Sequence, residues 1–263
     1  MNEIYQHFKH EEKEFIDKAS DWVDRVRENY EVISTNFLNP REVEILKSLA
    51  NGADIKIFSS FDIVRTEMVK IILAPNFYEL TLDDFQLSLI EIDFPSKFAK
   101  ISHPQILGTI LGQTGLERNK IGDIIVSDSQ AQFFVDSKFT NLLSENISKI
   151  GKLGVKLYQV PFDMLITISN NVSNTRQKVL VVSSLRLDKL VASSFNISRK
   201  TAADLIDKGL VKLNYSVEER KETILEIGDL VSVRGYGRFT LINKLSLSKK
   251  DKNRVEVEIT NKK

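Results

Sequence analysis

In the stretch "SSFNISRKTAADLIDKG", residues 193–209, Arg199 and Lys200 directly follow Ser198 at the expected first turn of a helix. A serine there caps the helix with its hydroxyl, and Gly209 ends it. The first turn offers unpaired backbone N–H groups at the positive end of the helix dipole. Flanked by a guanidinium and an ammonium, such a turn is a cradle for a backbone phosphate. A basic pair at a helix start is equally the ordinary solvated end of a surface helix, because Lys and Arg mostly lie exposed. In the preceding helix, "RLDKLVASSF", Leu187, Leu190, Val191 and Phe195 form the apolar stripe, and Ala202, Leu205 and Ile206 form that of the second helix. This leaves Arg186, Lys189, Lys200 and Lys208 for the edges and outer face. Asp188 and Asp229 read as cap or turn partners of backbone amides.

A second candidate is the loop "GQTGLERNKIGDI", in which Gly112, Gly115 and Gly122 free the backbone and Arg118 and Lys120 add charge before a strand. It reads as a secondary contact to an anionic backbone, RNA if the basic helices bind RNA, or as a plain solvated connection. Phe133 and Phe134, in "AQFFVDSKF", are adjacent strand residues, so one must face inward while the other is available to stack on a base. Groups for catalysis are scarce. His7 and His10, in "HFKHEE", do not make a zinc-hydrolase pair, and with His103 they read as surface or cap residues. There is no phosphate-binding Gly-rich loop, "GYGR" is too short for a dinucleotide fingerprint, and Asp123, Asp128 and Asp136 are the only carboxylates in the central strand region. With no cysteine, thiolate metal sites and cysteine nucleophiles are excluded. The expectation is no catalytic residue, no metal and no cofactor.

The elements that must carry these residues are readable from periodicity. At 263 residues, 42% hydrophobic and 28% charged, the composition is that of a globular protein of two or three domains. The net charge of +1 hides an asymmetry: residues 183–263 carry about +6 and the rest about −5. A basic, partner-facing portion therefore lies C-terminal. The first 52 residues read as helical, with Phe15, Ala19, Trp22, Val23 and Val26 on one stripe, then Asn39, Pro40 and Glu42 opening a second helix that Gly52 closes. From Ile55 the period becomes that of strands. "LSLIEIDFP" opens an order of strand, helix (103–115), strand, strand, helix (137–150), strand, which is βαββαβ, the split-βαβ or ferredoxin-like arrangement. "ISNNVSNTRQK", residues 168–178, reads as a linker. The chain thus reads as α+β in three parts: a helical unit over 1–54, a ferredoxin-like (RRM-like) domain over 55–167, and a compact basic domain over 183–260. No signal peptide and no run of ~18 apolar residues is seen, which reads as cytoplasmic with no membrane partner.

"RLDKLVASSFNISRKTAADLIDKGLVKLN" followed by "IGDLVSVRGYGRF" resembles the S-four RNA-binding domain, also called the αL motif. The resemblance implies binding to folded RNA along the basic edge of the two helices. It carries over to Arg186, Ser198, Arg199, Lys200, Lys208, Lys212, Asn214, Arg234 and Arg238, with Lys189 beside them. One departure is Tyr215, where that family usually has a glycine. The "RLD" at 186–188 also looks like a pseudouridine-synthase motif, but only a short tail follows the domain, so it reads as the start of the RNA-binding helix. Together with "TNFLNPRE" and "LGQTGLERNKIGDI", the whole chain resembles the YlmH family. This implies a non-enzymatic, monomeric protein associated with the ribosome, binding large-subunit rRNA and peptidyl-tRNA in rescue or quality control of stalled translation. Two alternatives stand beside it: an RNA-modifying enzyme acting through the central domain, and a cell-division-linked interaction scaffold acting through the acidic N-terminal helices.

Overall fold

The computed structural model describes residues 12–166, 175–247 and 252–261. His7, His10 and residues 168–174 of the expected linker lie outside these. The chain divides into two compact units, Glu14–Asn170 and Asn171–Lys263 with Met1–Lys13. The fold is mixed α+β.

In the first unit, α1 (Lys13–Asn29) buries Ile16, Ala19, Trp22, Val23 and Val26, while Phe15 sits at the stripe's margin with its ring edge-on to Trp22. The helical reading then fails. After Tyr30, which adopts φ 57, residues "ISTNFL" form strand β1 (Ile33–Leu38). Ile33, Thr35 and Phe37 suit a pleated surface, and pairing with a partner strand satisfies backbone groups that a short isolated helix would leave at its ends. Helix α2 (Pro40–Ala50) starts on a reciprocal capping box: Asn39 N–H donates to Glu42 Oε2 at 2.8 Å and Glu42 N–H donates to Asn39 Oδ1 at 3.0 Å. Strands β2 (Ile55–Ser59) and β3 (Val69–Pro75) follow, in a sheet of order β1-β3-β2. A boundary between 54 and 55 would cut this sheet away from its α1/α2 cover, since Ile71 and Leu73 of β3 share a core with Trp22 and Leu46.

The split-βαβ order comes next, as β4 (Leu87–Asp93), α3 (His103–Thr114), β5 (Ile121–Val126), β6 (Ala131–Asp136), α4 (Thr140–Asn146), a hairpin of β7 (Lys149–Ile150) and β8 (Leu153–Gly154), and β9 (Lys156–Val160). The sheet is antiparallel with order β5-β6-β4-β9, the arrangement that the split-βαβ pattern demands. The helix expected over 137–150 is shorter: a 3-10 turn at Ser137–Phe139 precedes α4, and Lys149 and Ile150 turn back into the hairpin.

The second unit holds β10 (Thr175–Val182), α5 (Leu187–Phe195), α6 (Arg199–Asp207), β11 (Val211–Leu213), β12 (Ser216–Val217), β13 (Leu230–Val233), β14 (Gly237–Lys244) and β15 (Asn253–Asn261). The sheet order is β10-β15-β14-β13-β11-β12. Residues 175–178, read from sequence as linker, are strand, because β10 pairs with β15 along its whole length. A domain start at 183 therefore falls beyond a strand of its own sheet. Helices α5 and α6 cover one face: Leu187, Leu190, Val191, Ala202 and Ile206 pack on Val211, Val231, Val233, Phe239 and Val257.

Candidate nucleic-acid interface

The basic residues sit on the second unit in distinct groups. The first gathers where α5 and α6 begin. Asp188, in the first turn of α5, is almost wholly buried. Among the described residues no backbone amide donates to its side chain. Instead Arg186 lies side-on to it, with Nε 3.1 Å from Oδ1 and Nη2 3.3 Å from Oδ2. Arg199, opening α6, places both Nε and Nη2 2.8 Å from Oδ2. Burial opposes ionisation of Asp188, but the bonds from the two arginines outweigh it and hold the carboxyl below its usual range. The bond to Asp188 in turn raises the Arg186 pKa.

Ser198 caps α6 as expected, its Oγ accepting from Thr201 N–H at 3.0 Å and lying 2.8 Å from Thr201 Oγ1. The N–H groups of Arg199 and Lys200 have no partner among the described residues, and the Lys200 side chain is exposed. The start of α5 differs. Its Leu187 and Asp188 amides donate to the carbonyls of Thr223 and Lys221, so it offers no comparable cradle. Lys189 donates to Ser183 Oγ at 2.7 Å.

The remaining cations lie elsewhere. Lys212 pairs with Ser232, and Ser232 with Arg238, which puts Lys212 and Arg238 in one row across the sheet. Their strand neighbours Val211 and Phe239 point into the core, so this row is on the face opposite the helices. Lys208 is the C-cap of α6, and Arg234 N–H bonds to the Leu210 carbonyl just beyond it. Asn214 is structural. Its Nδ2 donates to Asp229 Oδ1 at 2.7 Å and its Oδ1 accepts from Leu230 N–H at 2.9 Å, while Asp229 accepts from Glu226 N–H as the turn reading expected. Asn214 and Tyr215 both adopt positive φ, 48 and 70, as a two-residue turn between Leu213 and Ser216 requires.

In the central domain both loop cations have partners within the protein. Arg118 donates through Nη1 to the Ile121 carbonyl, and desolvation lowers its pKa. Lys120 donates to Asn36 Oδ1 of β1 at 2.8 Å. The loop thus stitches β1 to the central sheet.

Neither phenylalanine of "QFFV" is available to a base. Phe133 packs under the helices, and Phe134 is buried on the opposite face beneath Phe37, Val64, Phe162, Leu165 and Ile166. Gly122 permits this approach: a Cβ there would stand 2.6 Å from Phe37 Cε1 and 2.9 Å from Phe134 Cβ. Gln132 ties down the covering segment, donating to the Met164 carbonyl and accepting from Ile166 N–H. Asp123 accepts from the amides of Glu67 and Met68 at 2.6 and 3.1 Å, and burial raises its pKa despite those bonds. The cover over Phe134 was beyond sequence reading, because it is assembled from segments up to a hundred residues away.

The other carboxylates of this region are engaged too, Asp128 with Lys100 at the surface and Asp136 with buried Lys70. Among the described residues there is no group of His, Asp and Glu suited to a metal, and no helix long and apolar enough to cross a membrane.

The chain's second unit lays two helices, each with an arginine at its start, on an antiparallel sheet, and this part carries an S4 domain. The S4 domain model matches residues 185–231. Models described as "YlmH, N-terminal" and "Putative RNA-binding domain in YlmH" match residues 11–78 and 81–164. The "Ribosome-associated protein quality control protein P2" of Bacillus subtilis (strain 168) is 35% identical over 258 residues, which is 98% of this chain and 99% of that one. The solved structure of "Cell division protein ylmH from Streptococcus pneumoniae" is 36% identical with a TM-score of 0.56, covering 62% of this chain and 99% of that one. The chain belongs to the YlmH family.

Proposed function

We propose that this protein is a non-enzymatic RNA-binding component of ribosome-associated quality control, holding structured RNA through its S4 domain. The observation that carries the reading is the cluster at the starts of α5 and α6. There Arg186 and Arg199 share the buried Asp188 through their inner edges, and their outer edges, the exposed Lys200 and two unpaired N–H groups of the first turn of α6 are left as donors for an anion. The Bacillus relative named for ribosome-associated quality control supplies the setting. Within it the large subunit and peptidyl-tRNA are the partners, the protein acts as a cytoplasmic monomer, and the sheet-face residues Lys212 and Arg238 make a separate contact.

The central domain, on this reading, acts as a spacer or binds through its edges, since the face that an RNA recognition motif uses is covered. We assign its carboxylates to structure on their partners. The pneumococcal relative is named as a cell division protein, and that name supports a second reading, an interaction scaffold for division proteins. Cross-linking in cells separates the two by whether RNA or protein is recovered.

The deciding experiment replaces Arg199 and Lys200 together by Glu and follows ribosome co-sedimentation over a range of salt. Phosphate contacts make affinity fall steeply with salt, so the folded double variant is expected to lose ribosomes at concentrations where the parent sediments with them. Unchanged co-sedimentation overturns the reading.

A further inference from the structure

We infer that Asp188 is a positioning residue for the RNA interface, holding Arg186 and Arg199 side by side as a preformed phosphate fork. The inference rests on the RNA-binding reading above and adds to it a residue that sequence reasoning assigned only to backbone capping.

The geometry has an anchored root and open tips. The Asp188 side chain is 3% exposed, whereas Arg186 is 32% and Arg199 58% exposed. Each guanidinium uses Nε and Nη2 on the carboxylate, and the Nη1 group of each has no partner among the described residues. Two guanidiniums brought together without a carboxylate between them repel each other. With Asp188 there the two arginines and the carboxylate together carry +1, Glu222 being a further acid that acts on Arg186, and both planar groups are fixed through their inner edges. Outer-edge donors then point away from the root, in the geometry by which arginine recognises phosphate. Holding rotamer-rich side chains in advance removes ordering cost from the binding step. The two arginines start different helices, so the same carboxylate also fixes the start of α6, with its free Arg199 and Lys200 N–H groups, relative to α5.

This role makes a prediction opposite in sign to simple charge counting. Removing an acid from a basic surface should tighten binding to RNA by Coulomb attraction alone. If Asp188 positions the fork, Asp188→Asn instead weakens it, because the carboxamide accepts on one oxygen and turns an NH2 toward a guanidinium.

The test uses the full-length chain and purified large ribosomal subunits, with affinity measured over a series of KCl concentrations and melting temperature recorded for each variant. Asp188→Asn is expected to raise Kd by about tenfold and to flatten the dependence of log K on log salt by about one phosphate contact. Arg199→Lys preserves charge at an exposed position and therefore tests the geometry without threatening the fold. It is expected to lose affinity as Arg199→Ala does, since an ammonium cannot bond Asp188 and a phosphate through two edges. Parent-like or tighter binding by folded Asp188→Asn overturns the inference, and so does parent-like binding by Arg199→Lys should Asp188→Asn fail to fold. In either case loss of binding by the Arg199→Glu, Lys200→Glu double variant keeps the RNA reading standing. Failure of the parent chain itself to bind the subunits removes both.

Discussion

Lys70 Nζ lies 2.9 Å from Asp136 Oδ2, with only 1% and 8% of the two side chains exposed. Lys70 is in the middle strand of the N-terminal sheet, and Asp136 ends β6 of the central one, so the ion pair joins two sheets within one compact unit. Burial lowers the Lys70 pKa, and the bond to Asp136 opposes that shift. Losing Lys70 leaves the buried Asp136 carboxylate with only the exposed Lys138 amine, 3.5 Å from its Oδ2, and breaking a buried pair costs up to about 3–5 kcal/mol, whereas replacing both is close to neutral. Lys70→Met alone is expected to destabilise the unit by about that much. Adding Asp136→Asn, which keeps an acceptor for the Lys138 amide, should restore most of the loss. Urea denaturation of both single variants and the double variant checks this, and additive losses would show that the pair is not coupled.

Phe134 separates a closed sheet from a base-stacking one. On an open RNA recognition motif face, truncating the exposed aromatic abolishes RNA binding with little effect on the fold. Here Phe134 is 1% exposed beneath Phe37 and Phe162, whose ring centroid is 6.2 Å away. Phe134→Ala is therefore expected to cost about 3–5 kcal/mol of stability while the folded protein keeps its affinity for ribosomes. Retained stability with lost affinity would mean that this face opens to RNA.

These two sites also mark where sequence reasoning reached its limit. The split-βαβ order, the Asn39/Glu42 box and the Ser198 cap were legible because each is written in local period or in spacing of three residues. Strand β10 was not, since "TRQK" has no apolar alternation and is held by its pairing with β15. Nor was β1, a short strand between two helices that only β3 makes stable. For the interface, residue types along α5 and α6 were legible. Their grouping was not: Lys212 and Arg238 fall on the far face of the sheet, Asn214 folds into its own turn, Arg118 bonds within its own loop, and Lys120 serves the join to β1. All of these except the Arg118 bond depend on what a distant segment brings to the residue.

Tyr215 gives a prediction of stabilisation. It sits at φ 70 in a turn whose geometry suits glycine, and a side chain in left-handed backbone costs about 1–2 kcal/mol. Glycine gives back part of that through its larger unfolded-state entropy. Tyr215→Gly is expected to stabilise the S4 domain by about 0.5–1 kcal/mol, read as a higher urea midpoint at unchanged slope. A lower midpoint would show that the tyrosine ring contributes more packing than its backbone costs.

Asp188 predicts how acid acts on the same domain. Its folded pKa is below the unfolded aspartate value of about 3.9, so the unfolded chain binds more protons in the interval between the two. The stabilisation from the two arginines is thus fully present above that unfolded value. It is lost as pH falls through it toward and past the folded pKa, where Asp188 protonates and each guanidinium loses its counter-charge. Other carboxylates titrate over the same range, so the informative quantity is the difference between parent and Asp188→Asn. The gap in melting temperature is expected to be constant from about pH 7 to about pH 5 and to close progressively below about pH 4. A gap that stays open in acid would mean that the variant destabilises through shape alone, and that the charge of Asp188 does not hold the arginines.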